Sequence, residues 1–321
     1  MFFSWLKIMS FSIIIMSIIM SMSSDSWFSM WISLEINMLN FIFFCYSPPS
    51  YSSFNSMMKY FIIQSLSSMM LMFSFIISKN MCFFEMMNFI TPLIMTIKLG
   101  LFPFHFWLSD VGESLEWLNF ILFNTSQKFI PLYILSFNYM FNIFLLIITT
   151  NSLWSSISLF NQTSMRKMLI FSSLNHMSWI TFMMLNKSLN WMIYFFIYSI
   201  NFLFIYNITK NMNLNSISSI SMSKKNLKMK FSISMLNFSG TPPLMGFFPK
   251  WMAIMNFNLS NMIILMTLLM SSILSNFIYI HFFIQTFSLK KIHHMPSHSN
   301  SMHYITFFLI LINLPLMFMM F

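Results

Sequence analysis

Four ionisable side chains stand inside stretches that are otherwise apolar. Glu35 lies in WISLEINMLNF, Lys98 in TPLIMTIKLGLFPF, Lys128 in FNTSQKFIPLYIL and Lys250 in SGTPPLMGFFPKWM. A charge at the centre of a membrane helix costs about 2.5–3.5 kcal/mol on insertion scales. Each Leu, Ile or Phe around it returns about 0.3–0.6 kcal/mol, so an apolar helix carries one such group and hardly two. One per stretch is what the sequence has. Burial disfavours the charged form of a lysine, and a neighbouring carboxylate favours it. The chemistry these residue types allow inside a membrane is ion binding or proton exchange.

Three of the four lie beside helix breakers. Lys98 precedes Gly100 and Pro103, Lys128 precedes Pro131, and Lys250 follows Gly240, Pro242, Pro243, Gly246 and Pro249. Proline lacks an N–H and clashes with the preceding turn, and in lipid the carbonyls it frees must be met by protein or a hydrated cavity. Broken helices with a charge at the break are how transporters build ion sites. The alternative is snorkelling, in which a lysine reaches out to the head groups; Lys59, Lys79 and Lys187 are assigned to that reading. His105 and His176 are read first as packing hydrogen-bonders and second as proton-relay groups. His293, His294, His298 and His303 share one polar loop, read as solvated, so no metal site is expected. The Met and Phe stripes read as lipid-facing or core filler rather than a cofactor box.

The elements that position these residues follow from composition. Hydrophobic residues make up 58% of the 321 and charged ones 7%, against about 25% charged in a soluble domain. Too few charges remain to cover the protein, so its surface must face lipid. The apolar runs are long and continuous rather than alternating, which selects helices over a β-barrel. The expected fold is all-α, a polytopic bundle of eleven spans: 3–22, 26–44, 57–78, 82–103, 114–138, 139–160, 166–184, 188–208, 231–256, 260–286 and 303–321. With loops on alternate sides, Lys7, Arg166, Lys167, Lys210, Lys224, Lys225, Lys228, Lys230, Lys290 and Lys291 fall on the N-terminal face. Only Lys79 and Lys187 fall opposite, so the N-terminus is expected on the matrix or cytoplasmic side.

The same counts exclude several functions. The net charge of +10 reflects loop lysines and membrane orientation, and no nucleic-acid partner is expected. Cys45 and Cys82 form no paired motif, and an iron–sulfur cluster takes about four thiolates. Gly100, Gly112, Gly240 and Gly246 are the only glycines and cannot build a dinucleotide or phosphate loop. Ala253, Val111 and Arg166 are each single copies, which points to an AT-rich genome such as that of an animal mitochondrion. The N-terminus shows no transit or signal pattern, and Met1–Met22 reads as a retained span.

WISLEINMLNF, KYFIIQS from Lys59, KLGLFPFHFW, TSQKFIPL, NQTSMRKMLIFSSLNHMSW from Asn161 and GTPPLMGFFPKW occur in order over nearly the whole chain. In these motifs the sequence resembles the chain 2 family of NADH:ubiquinone oxidoreductase, the antiporter-like subunit 2 of mitochondrial complex I, from an invertebrate. It departs at Phe160, Ile170 and Leu236 to Ser239, where that family often has small residues or glycine. The resemblance implies an antiporter-like fold with two broken helices, in a single transmembrane domain over 1–321 without a soluble domain. Inverted repeats are expected at about 57–208, incomplete at its N-terminal side, and 139–286.

The resemblance also implies a role for each charged site: Glu35 as the intramembrane glutamate, Lys98 and Lys128 as central proton-handling lysines, and Lys250 as the lysine of the second broken helix. The implied activity is proton translocation coupled to NADH oxidation and ubiquinone reduction in the mitochondrial inner membrane. NADH, FMN, iron–sulfur clusters and ubiquinone would be bound by other subunits, with no cofactor on this chain. The implied partners are neighbouring antiporter-like and small membrane-arm subunits and phospholipids. A stand-alone cation/proton antiporter and a purely structural membrane-arm subunit are the competing readings.

Overall fold

In a computed structural model, the described residues are 2–46, 51–78, 84–137, 141–186, 188–210, 225–242, 244–256 and 262–288. Helix follows helix throughout. The chain divides into two compact units, Met1–Asn151 and Ser152–Phe321. The first holds α1 (Phe2–Met22), α2 (Trp27–Cys45), α3 (Tyr51–Ser78), α4 (Phe84–Leu99), α5 (Phe106–Ser114), α6 (Trp117–Asn124) and α7 (Ser126–Leu135). Helix α8 (Phe141–Leu159) runs across the boundary. The second unit continues with α9 (Met165–Leu185), α10 (Asn190–Thr209), α11 (Lys225–Ser239), α12 (Phe247–Met255) and α13 (Met262–Ser288).

Six described helices are long and apolar enough to cross a membrane, within α1, α2, α3, α9, α10 and α13. They match the expected spans 3–22, 26–44, 57–78, 166–184, 188–208 and 260–286, although α3 starts earlier, at Tyr51. The expected span 139–160 appears as α8. Three others are interrupted. Span 82–103 stops at Leu99, 114–138 divides into α6 and α7, and 231–256 divides into α11 and α12. The connection expected at 104–113 contains most of α5. The span 303–321 and the four loop histidines lie outside the described residues, as do Lys79, Cys82 and Lys187.

Serine explains how such helices pack. Among the described residues Ser17, Ser33, Ser74, Ser172, Ser173 and Ser234 are buried. Each hydroxyl donates to the carbonyl three residues earlier, for example Ser17 to Ile14 at 2.7 Å and Ser173 to Ile170 at 2.6 Å. The polar group is thus satisfied within its own helix, and the small side chain lets helices approach closely. Helix α9 is the most enclosed of the six apolar spans: it is buried almost all round, packed by α10, α12 and α13. Outward, Ile263, Phe106 and Met69 stand exposed, as a lipid-facing surface requires.

Candidate proton-handling sites

The site in the first unit begins where α4 stops. Gly100 takes φ +65, a left-handed conformation that glycine adopts without a Cβ clash. Leu101 N–H then donates to the Thr96 carbonyl (3.0 Å) and Gly100 N–H to the Ile97 carbonyl (3.1 Å), which is the Schellman pattern of a helix end. The carbonyl of Lys98 is left over, and Gln64 Nε2 from α3 donates to it at 3.1 Å. Phe102 N–H, which an unbroken helix would direct at that carbonyl, donates instead to Asn151 Oδ1 at 3.2 Å. The Lys98 side chain turns back, and its Nζ donates to the Gln64 carbonyl at 3.4 Å. Gln64 and Lys98 therefore hold each other at both ends.

A second chain of hydrogen bonds runs beside this pair. Tyr60, one turn before Gln64 on α3, donates to Gln127 Oε1 at 2.8 Å. Gln127 on α7 donates through Nε2 to Asn37 Oδ1 on α2 at 3.1 Å. Glu35 lies two residues before Asn37 on α2, half-buried. Lys128 follows Gln127 directly and is buried. Polar bonds thus join α3 to α4 at Lys98 and α3 to α7 and α2 through Gln127, with Lys128 and Glu35 on the same two helices as Gln127 and Asn37.

Lys128 corrects one expectation. The break of its helix falls at Thr125, ahead of the lysine, and Pro131 sits inside α7. The cause is local. Thr125 Oγ1 donates to the Ile121 carbonyl (2.8 Å) and Ser126 Oγ to the Leu122 carbonyl (2.9 Å). Adjacent hydroxyls bonded four residues back compete with the backbone ladder and bend a helix. Lys59, expected to snorkel, pairs with Asp110 at 2.7 Å, both exposed. Such a pair is worth about 0–1 kcal/mol. His105 immediately precedes α5 without a side-chain capping bond, its ring against Phe102 and Phe106 at centroid distances of 5.7 and 4.2 Å.

The second unit repeats the design around α11. Gly240 takes φ +76, and its N–H turns to the carbonyls of Leu236 and Asn237, each 3.3 Å away. The next two carbonyls, of Phe238 and Ser239, point past the helix end. His176 from α9 takes the first through Nε2 at 2.9 Å, and its Nδ1 meets Tyr194 Oη at 2.9 Å. A carbonyl only accepts, so Nε2 carries the proton and Nδ1 accepts from the tyrosine. Lys250 takes the second, donating through Nζ to the Ser239 carbonyl at 2.6 Å.

The glycines make this fit possible. A Cβ on Gly240 would come within 2.8 Å of the Gly246 carbonyl and 3.1 Å of Lys250 Cε and Nζ. A Cβ on Gly246 would overlap the Asn237 carbonyl. Lys98, Lys128 and Lys250 are 5%, 3% and 6% exposed, which removes head-group snorkelling as their role. A buried ammonium of this kind is retained where it is solvated by fixed carbonyls and side chains.

Several residues at these sites had no assigned role from sequence: Asn37, Tyr60, Gln64, Gln127, Tyr194 and Ser239. One signal was available. Tyr60 and Gln64 stand four apart on an apolar helix, which puts both polar groups on one face. Among the positions that depart from the resemblance, Ile170 is wholly buried in α9, and Phe160 packs on Phe277 at 6.4 Å.

Comparison with known proteins gives one consistent picture. The model of the NADH:quinone oxidoreductase/Mrp antiporter transmembrane family matches residues 24–275. NADH-ubiquinone oxidoreductase chain 2 of the tick Rhipicephalus sanguineus is 36% identical over 296 residues, 89% of this chain and 93% of that one. Its counterpart in the mosquito Anopheles gambiae is 34% identical over 265 residues, 79% and 78% of the two chains. Among solved structures, a chain of respiratory complex I from Thermus thermophilus superposes with a TM-score of 0.75 at 15% identity. That match covers 89% of this chain and 72% of the other. A chain of the Mrp complex from Dietzia follows with a TM-score of 0.71 at 12% identity, covering 90% and 61%.

Proposed function

Because this chain belongs to the NADH-ubiquinone oxidoreductase chain 2 family, we propose that Glu35, Lys98, Lys128 and Lys250 carry protons through it. The chain is a multi-pass subunit of the mitochondrial inner membrane and a membrane-arm component of proton-translocating complex I. The observation that carries the reading is the burial of three lysines inside the protein, two of them donating to backbone carbonyls. In that setting a lysine keeps its proton only while the surrounding dipoles and charges support it. An ionised carboxylate such as that of Glu35 favours the protonated form of a lysine near it. A change in the charge of either group therefore shifts the proton on the other.

Quinone reduction on other subunits supplies the drive, and the two cysteines of this chain support placing the redox centres there. Moving each proton against 100 mV takes about 2.3 kcal/mol, so the coupling must exceed that. The N-terminus faces the matrix in this reading, on the strength of the lysine distribution, and the neighbours are other antiporter-like and small membrane-arm subunits.

The test uses the assembled complex in sealed vesicles, comparing proton uptake with NADH oxidation. Lys128→Met and Glu35→Gln are expected to lower the protons moved per NADH while the complex still assembles. A ratio unchanged in both variants would overturn the reading and leave the chain a structural element of the arm.

A further inference from the structure

The Ser239 carbonyl has a second donor besides Lys250. Asn276 on α13 faces two carbonyls, so its amide nitrogen, the only donor on that side chain, must point at them. It donates to the Ser239 carbonyl and to the Ser272 carbonyl on its own helix, the latter at 3.2 Å. Helices α11 and α13 pack side by side, which brings Asn276 to the end of α11. A carbonyl oxygen has two lone pairs, and here the lysine ammonium and the asparagine amide fill both.

We propose that Asn276 is a positioning residue for Lys250, holding the Ser239 carbonyl when the lysine leaves it. The inference rests on the reading of Lys250 as a proton carrier. A lysine that delivers a proton must move its Nζ away from the carbonyl that solvates it. Without Asn276 that departure strands a buried acceptor at a helix end, where the backbone offers no N–H of its own. With Asn276 in place the carbonyl keeps one partner throughout. The neighbouring Phe238 carbonyl is held by His176, so the whole end of α11 stays satisfied in both positions of the lysine. Asn276 also limits how tightly the ammonium is held, because the two donors share one oxygen.

The experiment measures NADH:ubiquinone turnover by the assembled complex in vesicles, in H2O and D2O. Asn276→Leu removes the donor at similar volume. Turnover is expected to fall about tenfold, the penalty of one orphaned buried carbonyl. The solvent isotope effect should rise, because departure of the proton-bearing lysine becomes rate-limiting. Asn276→Gln keeps the amide and is expected to restore most of the rate. Wild-type turnover and isotope effect in Asn276→Leu overturn the proposal. Equal losses in the Leu and Gln variants with an unchanged isotope effect overturn it too, since they mark packing alone. If Asn276→Leu does not assemble, Asn276→Ala, which lacks the donor and adds no charge, is read by the same criteria. Lys250→Met is measured alongside. Normal pumping there removes the proton-carrier reading and this inference with it. Lost pumping there with a silent Asn276→Leu removes only the role of Asn276.

Discussion

At Gly240 a single methyl group decides whether Lys250 has a place to rest. Its φ of +76 costs a residue with a Cβ about 1–2 kcal/mol, and that Cβ would also press on the Gly246 carbonyl and on the lysine itself. Gly240→Ala is therefore expected to lower the denaturation temperature of the assembled complex and to reduce pumping. Gly112, buried in α5 without positive φ, is the comparison. The charged residues of both sites were legible in the sequence because charge is scarce, so each one stands out against its stretch. The uncharged partners were not. Asn and Ser are abundant along this chain, and Asn276 looks like any other asparagine until α13 lies against α11. For His176 the sequence favours packing, and its bonds to Tyr194 and the Phe238 carbonyl do join three helices.

Among the elements, the two glycine-capped ends of α4 and α11 solve one problem in the same way. Each leaves the carbonyl two residues before the glycine without a backbone partner. A side chain from a neighbouring helix supplies the missing donor, Gln64 to the Lys98 carbonyl and His176 to the Phe238 carbonyl. Gln64→Leu strips the Lys98 carbonyl of its donor and is expected to destabilise the arm by about 1–3 kcal/mol. Tyr60→Phe removes one bond between α3 and α7 and should cost less, about 0.5–1.5 kcal/mol. Thermal denaturation of the assembled complex orders the two. The breaks themselves were partly legible. Glycine and proline around 100 and 240 marked two of them, but the third depends on two hydroxyls at Thr125 and Ser126. Threonine and serine bend helices only when they bond backwards, which composition does not reveal. Residues 106–114 escape a hydropathy reading because nine residues are too few to register as a span.

For the whole molecule, hydropathy fixed the class of fold while it could not see which spans were interrupted, since α6 and α7 are as apolar as an intact helix. The lysine distribution yields the remaining large-scale prediction. An impermeant amine reagent applied to inside-out inner-membrane vesicles should label Lys7, Lys210, Lys225, Lys228 and Lys230. Applied to mitoplasts, it should reach Lys79 and Lys187 instead. Mass spectrometry of the labelled peptides reads the result, and the reverse pattern inverts the topology.

The backward-bonded serines carry one more consequence. A hydroxyl locked onto its own backbone offers the neighbouring helix little more than a methyl group of slightly larger girth. A genome short of alanine and glycine codons can then write serine at a helix contact, and the folded protein scarcely registers the spelling. Exchanging Ser74, bonded to the Leu71 carbonyl at 2.6 Å, for alanine should leave assembly and respiration as they were.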